Sequence, residues 1–265
     1  MKYELGFIGC GNMGGALITA AAKRIDGNKI AACDFDKSKV EKFEKAFGVI
    51  SATAQDIAQN ARFLVLAVKP QVMASAIQEF AEILSARKDC VIITMAAGLS
   101  INAIRSYVGA NLPVIRIMPN TPAMVGEGMI LYALANVSED EEAAFLSAFS
   151  CAGKFDKLPE ELIDGASALS GCGPAFVYAF AEALMKGAVE CGIPEEKVLS
   201  YTAQTLLGAA KMLETYGDPP TLIKNVCSPG GTTIEGIKAL ENAEFQKIAS
   251  SAVTAAYKRT LELKK

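Results

Sequence analysis

The first part of the chain alternates between two hydrophobic patterns. Short apolar runs typical of β-strands are followed by segments whose apolar residues recur every three or four positions, as on one face of a helix. Strands are predicted at 3–8, 29–34, 48–52, 62–68, 89–96, 113–118 and 129–133, and helices at 38–47, 72–84 and 102–108. Strands that alternate with helices indicate βαβ units, so we expect an α/β fold with a doubly wound, mostly parallel sheet.

The strand pattern stops after residue 158, and long apolar helices follow. They are predicted at 174–191, 194–216 and 243–263. We therefore expect a sheet domain over 1–158 and an all-helical domain over 159–265. The helix at 174–191 is apolar nearly all round, apart from a polar stripe of Glu182, Lys186 and Glu190. Because such a helix needs more cover than a domain of roughly 100 residues offers, we expect a helical homodimer core.

Composition and charge narrow the possible partners. The chain has 265 residues, of which 51% are apolar and 21% charged, with a net charge of −3 and a pI near 5.3. No basic surface is expected, so a nucleic-acid partner is not expected either. No window reaches the roughly 18 uninterrupted apolar residues of a membrane span, and the start of the chain leads directly into a strand rather than a signal peptide. We expect a soluble, cytoplasmic protein.

The cysteine and histidine content limits which metal sites and catalytic groups the protein can contain. Seven cysteines are scattered without a C-x-x-C pair, which argues against a zinc site or a disulfide scaffold and for reduced thiols. The sequence contains no histidine, which excludes Ser-His-Asp and Cys-His catalysis and histidine-ligated metal. No metal site is predicted.

A glycine-rich motif follows the first predicted strand. Gly9, Gly11 and Gly14 satisfy G-x-G-x-x-G where a strand ends and a helix begins. The first glycine makes the tight turn, the second lets the backbone approach a pyrophosphate, and the third lets helix and strand pack closely. The free N–H groups at the helix N-terminus favour phosphate binding. The motif and its βαβ context predict a dinucleotide site of the Rossmann type.

An acidic residue ends the second predicted strand, 20 residues after Gly14. Asp34 stands where an acid accepts hydrogen bonds from the ribose hydroxyls, which favours NAD over NADP. Asp36, Lys37 and Lys39 follow at once, and a lysine here could bind a 2′-phosphate. An aspartate that merely forms the turn after a strand is the alternative interpretation.

Three further strand ends carry unusual residues. Lys69 and Pro70 close one apolar run, small residues at 96–98 close another, and two prolines hold Asn120 and Thr121 in a stiff loop. Ligands of doubly wound sheets bind outside the carboxyl ends of the strands, so we expect the first two loops to border the cofactor. A solvated loop charge, a tight turn and a structural cap are the respective alternatives.

A second chemical motif lies at 225–236 in the helical part. Serine, two glycines and two threonines stand directly before a predicted helix and bring backbone N–H groups and hydroxyls together. This arrangement suits an anion such as a substrate carboxylate. Alternatively, Thr232 or Thr233 is only an N-cap.

Five motifs together closely resemble the pyrroline-5-carboxylate reductase family. They are Gly9 to Gly14, Ala67 to Pro70, Met118 to Pro122, Ala168 to Ala175 and Ser228 to Ile234. The resemblance spans nearly the whole chain. It implies an NAD(P)-binding Rossmann domain, an all-helical dimerisation and substrate domain, and reduction of a cyclic imine to L-proline with NADPH or NADH as the last step of proline biosynthesis. It also implies a homodimer or a higher homo-oligomer such as a decamer.

The resemblance also assigns site residues. The implied cofactor-binding residues are Ile8, Gly9, Cys10, Gly11, Asn12, Met13, Gly14, Asp34, Asp36, Ala67, Val68, Lys69, Pro70, Met95, Ala96 and Ala97. The implied substrate-binding residues are Asn225, Ser228, Gly230, Gly231, Thr232 and Thr233, with the Thr233 hydroxyl as the catalytic group near the ring nitrogen. Two residues depart from the family pattern: Cys172 stands where serine is common, and Asp34 replaces a residue that is often small or hydroxylated.

The chemistry implied by the resemblance needs no imidazole. A protonated cyclic imine is already a strong electrophile, so positioning supplies most of the acceleration. Two other functions fit the same pattern. One is reduction of another cyclic imine or a β-hydroxyacid-type substrate, and the other is a nucleotide-sensing protein without catalysis.

Overall fold

A single mixed sheet organises the larger part of the molecule in a computed structural model that describes residues 1–263. The strands are β1 (Tyr3–Ile8), β2 (Ile30–Cys33), β3 (Ile50–Ser51), β4 (Ala61–Leu66), β5 (Val91–Thr94), β6 (Val114–Met118), β7 (Gly128–Ala135) and β8 (Gly153–Lys157). Their order across the sheet is β3-β2-β1-β4-β5-β6-β7-β8. Strands β1 to β6 run parallel, β7 is antiparallel to β6, and β8 is parallel to β7. This topology confirms the predicted doubly wound, mostly parallel α/β sheet.

The carboxyl ends of the central strands are level with one another. Ile8 at the end of β1 is in register with Cys33 at the end of β2 and with Leu66 at the end of β4. Ligands of doubly wound sheets bind at this edge, where the strand order reverses. The loops after β1, β2 and β4 are therefore neighbours there.

Helices cover both faces of the sheet. They are α1 (Asn12–Ala21), α2 (Lys37–Phe47), α3 (Ala54–Asn60), α4 (Met73–Gln78), α5 (Ala81–Ser85), α6 (Ile101–Val108), α7 (Glu139–Phe149) and α8 (Glu160–Ser170). Strand β4 shows how the two layers arise, because Phe63 and Val65 join one apolar cluster while Leu64 and Leu66 join the other. A parallel strand buried on both faces is continuously apolar for this reason.

The secondary structure described from residue 173 to residue 263 is helical. It comprises α9 (Gly173–Glu190), α10 (Glu195–Tyr216), α11 (Pro219–Val226), α12 (Thr232–Asn242) and α13 (Phe245–Leu263). The chain divides into two compact units: Met1–Cys172 with the residues from Ala256 onward, and Gly173–Ala255. This division lies C-terminal to the predicted boundary at 158 because α8 packs against β6 and β7 of the sheet. That residue 158 is the boundary between two domains stays a prediction.

The second unit has almost no interior of its own. Among residues 173–255 only Val198 is buried, and large apolar side chains such as Val177, Tyr178 and Leu184 are between 41% and 63% exposed. The segment Glu160–Glu190 is also long and apolar enough to cross a membrane by length and composition, with only 6% of its most apolar window buried. These helices therefore present apolar faces that a single copy of the chain leaves uncovered.

Several elements differ from the sequence-based expectation. Strand β8 was not predicted, because in Gly153–Lys157 only Phe155 is apolar and the strand lies exposed at the sheet edge. The helix predicted at 72–84 is two short helices, α4 and α5, separated near Phe80. Helices α3, α7, α8 and α11 were also not predicted. The capping box of Ser138 and Glu141 at the start of α7 was a usable signal.

A buried arginine ties α8 to the sheet. Arg116 on β6 is 2% exposed and donates to Asp164 Oδ1 at 2.6 Å and to Glu160 Oε1 at 3.2 Å. The same Glu160 oxygen accepts the Ile101 N–H at 2.7 Å at the start of α6. One guanidinium therefore joins a strand to α8 and, through Glu160, to α6.

Removing this guanidinium should destabilise the protein strongly. Arg116→Met removes the guanidinium that lies 2.6 Å from the Asp164 carboxylate, which is 1% exposed. The expected loss is about 3–5 kcal/mol in the free energy of unfolding, measured in urea at matched protein concentration. The control Lys2→Met, in an ion pair whose lysine is 60% exposed, should change the free energy of unfolding far less, because solvent screens an exposed pair. Equal effects of the two variants would contradict the role given to Arg116.

Candidate active site

The three motif glycines occupy three different environments. Gly9 has a φ of +103°, and a Cβ there would lie 2.7 Å from the Ala67 carbonyl oxygen. A Cβ on Gly14 would overlap the Gly9 carbonyl oxygen and lie 3.0 Å from the Ala67 Cβ. A Cβ on Gly11 would meet nothing within 4 Å. The turn and the close packing thus use Gly9 and Gly14, whereas Gly11 presents an open backbone face to an approaching ligand.

The N-terminus of α1 is suited to an anion. Gly11 is its N-cap, no side chain caps the helix, and its first turn contains no acidic residue. The first N–H groups of a helix lack intrahelical partners, and the positive end of the helix dipole lies beside them. These features fit the pyrophosphate of a dinucleotide, which the open face of Gly11 lets approach.

Asp34 forms a turn after β2, as the alternative interpretation held, and also a link to the glycine-rich loop that sequence reasoning did not predict. Its side chain is 12% exposed. Its Oδ2 accepts the Cys10 N–H of the glycine-rich loop at 2.7 Å, and its Oδ1 accepts the Asp36 N–H at 3.0 Å. Lys39 Nζ lies 3.4 Å from the same Oδ1. The carboxylate therefore joins the end of β2 to the glycine-rich loop, and its place at the ribose stays a prediction.

Two neighbours of Asp34 also have structural uses. Asp36 is the N-cap of α2 and accepts from the Ser38 N–H at 3.1 Å and the Ser38 hydroxyl at 2.6 Å. The Ser38 hydrogen bonds lower the pKa of Asp36. Burial, with the Asp34 charge, raises the pKa of Cys10 to about 12. Cys10 is therefore a neutral thiol in the loop and is not a nucleophile at neutral pH.

A cleft of about 290 Å³ borders the glycine-rich loop. It brings together predicted and unpredicted residues: Cys10, Gly11, Asn12, Gly15, Ala16, Thr19, Lys39, Lys42, Phe43 and Met124. Two of its walls come from α1 and α2. Sequence reasoning missed Lys42 and Met124, since only the packing of α2 and of the 121–125 turn brings them to the loop. The regular spacing of Lys39 and Lys42 on one helix was the available signal for the lysine.

The loop after β4 lies beside the glycine-rich loop, and the loop after β5 leaves the same edge of the sheet, one strand further on. The Ala67 N–H donates to the Ile8 carbonyl at 2.8 Å, which places the end of β4 against the end of β1. Lys69 is exposed, and Pro70 opens a short 3₁₀ turn. In the next loop Ala96 is buried and Ala97 is exposed. Both loops thus reach the expected edge, and their contacts with a cofactor stay predictions.

Asn120 forms a structural link. Its Oδ1 accepts the Met129 N–H at 3.0 Å, and its Nδ2 donates to the Ser170 carbonyl at 2.8 Å. It therefore joins the start of β7 to the end of α8. This geometry supports the structural alternative for Asn120.

The Ser228–Gly231 turn leaves the N-terminus of α12 open. The Gly231 N–H donates to the Ser228 carbonyl at 3.0 Å, Gly230 has a φ of +71°, and a Cβ on Gly231 would lie 2.5 Å from the Ser228 hydroxyl. Gly231 is the N-cap and no side chain caps the helix. Thr232 and Thr233 are therefore not the N-cap, and the backbone N–H groups of the first turn are available to an anion.

The predicted substrate residues cluster within the helical unit. Two of them, Asn225 and Thr233, line one apolar cleft of about 660 Å³, whose other walls include Cys227, Phe180 and Phe245. The predicted residues Ser228, Gly230, Gly231 and Thr232 do not line this cleft. Both threonines at the start of α12 are exposed. The two predicted residue sets thus form two clusters, with the cofactor set in the first unit and the substrate set in the second.

The fold and the glycine-rich loop define the class of protein, a dinucleotide-dependent oxidoreductase. Residues 4–98 match a family model described as NADP oxidoreductase coenzyme F420-dependent, and residues 160–263 match one described as pyrroline-5-carboxylate reductase dimerisation. The chain belongs to the pyrroline-5-carboxylate reductase family. This confirms the resemblance inferred from the sequence motifs.

Individual relatives agree with this assignment. The chain is 35% identical to the pyrroline-5-carboxylate reductase of Escherichia coli over 100% of both chains, and 35% identical to that of Arabidopsis thaliana over 99% of this chain and 96% of the relative. A solved pyrroline-5-carboxylate reductase from Coxiella burnetii superposes with a TM-score of 0.90 at 33% identity, covering 100% of both chains. The Plasmodium falciparum pyrroline carboxylate reductase with NADP bound superposes with a TM-score of 0.87 at 30% identity, also covering 100% of both.

The dimerisation match explains the uncovered helices of the second unit. It spans 160–263 and therefore includes every helix from α8 to α13. The exposed apolar helices thus belong to the region that matches a dimerisation model, in agreement with the self-association expected from the apolar pattern at 174–191. The chain is a homo-oligomer that acts on a small molecule.

Two alanine substitutions should separate cofactor binding from loop packing. Gly11→Ala places a methyl group on the open face, so it should raise the dissociation constants of NADH and NADPH at least tenfold while changing unfolding by no more than about 1 kcal/mol. Gly14→Ala places one against the Gly9 carbonyl, so it should also destabilise the unliganded protein by about 1–3 kcal/mol. Fluorescence titration and urea unfolding measure the two effects. Normal dinucleotide binding by the Gly11 variant would contradict this assignment.

Proposed function

We propose that this chain reduces 1-pyrroline-5-carboxylate to L-proline with NADPH or NADH, the last step of proline biosynthesis. The observation that carries the proposal is the presence of two uncapped helix N-termini in one chain, each preceded by a glycine-containing turn. One opens α1 after the G-x-G-x-x-G loop, and the other opens α12 after Ser228–Gly231. The first suits a pyrophosphate and the second suits the carboxylate of the substrate.

One set of residues binds the dinucleotide, and a second set binds and orients the substrate. The N–H groups of Gly11 to Met13 hold the pyrophosphate, and the loops at 67–70 and 95–97 border the nicotinamide half. The first-turn N–H groups of α12 hold the substrate carboxylate, with Asn225 beside it. The negative charge of Glu235 in that turn is offset by Lys238, whose Nζ lies 2.7 Å from Glu235 Oε1.

The reaction adds one hydride and one proton across the C=N bond. When bound, the reduced dinucleotide supplies the hydride to C5 of the ring, and the proton resides on the ring nitrogen of the iminium form. Because the iminium is already electrophilic, correct alignment of the reactants supplies most of the rate acceleration. The Thr233 hydroxyl orients the nitrogen and stabilises the developing amine, since its own pKa lies too far from neutrality for efficient acid catalysis.

Turnover of pyrroline-5-carboxylate tests the proposal directly. The absorbance of reduced nicotinamide should fall when the protein is mixed with this substrate and NADPH or NADH. The six-membered homologue of the ring is the matched control for substrate size. Faster turnover of that homologue would make the chain a reductase of another cyclic imine. Dinucleotide binding without turnover of either ring would make it a sensor.

Replacement of Thr233 should affect the substrate step only. We expect Thr233→Ala to lower kcat/KM for pyrroline-5-carboxylate about ten- to hundredfold, the value of a hydrogen bond to a charged group. Thr233→Ser should retain most of the rate. The dinucleotide dissociation constants should not change, and Thr215→Ala on α10 serves as the control threonine. Equal losses of dinucleotide affinity and rate would place Thr233 at the cofactor instead.

The assembly should be a homodimer or a larger homo-oligomer such as a decamer. The exposed apolar faces of α9 and α10 favour a second copy of this chain as their cover, rather than a lipid bilayer. Sedimentation without detergent should show a dimer or larger particle across micromolar concentrations, and a monomer there would contradict it. We place the protein in the cytoplasm, without membrane or nucleic-acid partners, and cell fractionation tests this localisation.

A further inference from the structure

The three lysines near Asp34 are not equivalent. Lys39 and Lys42 line the cleft beside the glycine-rich loop, whereas Lys37 at the start of α2 does not. Lys39 is the one that forms an ion pair with Asp34, at 3.4 Å. It is therefore the cation placed both against the acid that ends β2 and against the cleft that the loop borders.

The hydrogen bonds of Asp34 leave room for a ribose. An ionised carboxylate has about four acceptor positions. The N–H groups of Cys10 and Asp36 and the ammonium of Lys39 use three of them. One position stays open for a ribose hydroxyl while Lys39 remains in place.

A 2′-phosphate changes the charge balance at this point. It brings up to two negative charges towards the Asp34 carboxylate, which is held in place by two backbone N–H groups and cannot easily withdraw. Lys39 is different, because its side chain is 40% exposed and flexible, and its contact with Asp34 is long for an ion pair. Of the two partners, the lysine is the one that can move to the phosphate.

We propose that Lys39 is the specificity-determining residue for the dinucleotide. Paired with Asp34, it leaves the carboxylate to the ribose hydroxyl of NADH. Moved from Asp34 to the 2′-phosphate, it lets the same site hold NADPH. The chain therefore uses both cofactors. NADPH is accepted because Lys39 exchanges its contact with Asp34 for a contact with the 2′-phosphate. This inference rests on the proposed function only in requiring that a nicotinamide dinucleotide binds.

The test measures binding rather than turnover. Dissociation constants for NADPH and NADH are obtained by fluorescence titration of wild type, Lys39→Met, Lys39→Arg and Lys37→Met at fixed ionic strength. Lys39→Met should raise the ratio of the NADPH constant to the NADH constant about tenfold. Lys39→Arg and the control Lys37→Met should leave the ratio within about twofold of wild type. Added salt should weaken NADPH binding more than NADH binding in wild type, but equally in Lys39→Met.

The outcomes separate the inference from the proposed function. An unchanged ratio in Lys39→Met overturns the inference alone, and so does an equal loss of affinity for both dinucleotides, because the lysine would then position the adenosine half without contacting the phosphate. If wild type binds neither dinucleotide, the proposed function and the inference fail together. Circular dichroism of each variant excludes unfolding as the cause of a loss, and methionine is a good helix former at this position in α2.

Discussion

The close approach of three backbone segments is the constraint on which the cofactor site depends. Gly9 has no room for a Cβ because Ala67, directly after β4, packs against it, and Gly14 has none because it packs against the Gly9 carbonyl oxygen. This packing holds the first turn of α1 level with the strand ends. A larger residue at either glycine would move the helix N-terminus away from the edge where ligands bind. Gly11 is free of this constraint, which leaves its open face for the ligand.

Asp34 affects both the geometry of the glycine-rich loop and the proposed choice between NADH and NADPH. Its Oδ2 accepts the Cys10 N–H and its Oδ1 accepts the Asp36 N–H, so the carboxylate that is predicted to face the ribose also joins the loop after β2 to the glycine-rich loop. Replacing Asp34 would change both the geometry of the loop and the protein charge beside the cofactor. The two effects could not be separated. Lys39 lies outside this backbone framework. Specificity can therefore be studied through the lysine without disturbing the loop.

Sequence reasoning succeeded where local pattern and packing agree. The central strands and the β1–α1 loop were predicted because buried parallel strands are continuously apolar and the turn requires glycine. It missed β8, where only Phe155 carries an apolar signal at an exposed edge. It also missed the hydrogen bonds between Asp34 and Cys10 and between Asn120 and Ser170, because these join segments distant in sequence. A single polar residue at a strand end does not reveal whether it serves a ligand or a backbone N–H, and only tertiary structure distinguishes the two.

The distribution of buried residues links catalysis to assembly. The sheet unit has two apolar layers of its own, whereas only Val198 is buried among residues 173–255. A segment with so little interior gains its stability by covering its apolar faces with another copy, so its folding free energy depends on protein concentration. The Ser228–Gly231 turn belongs to this segment and the glycine-rich loop does not. Dilution below the dissociation constant of the assembly should therefore disorder the Ser228–Gly231 turn before the glycine-rich loop, and substrate turnover should be lost before dinucleotide binding.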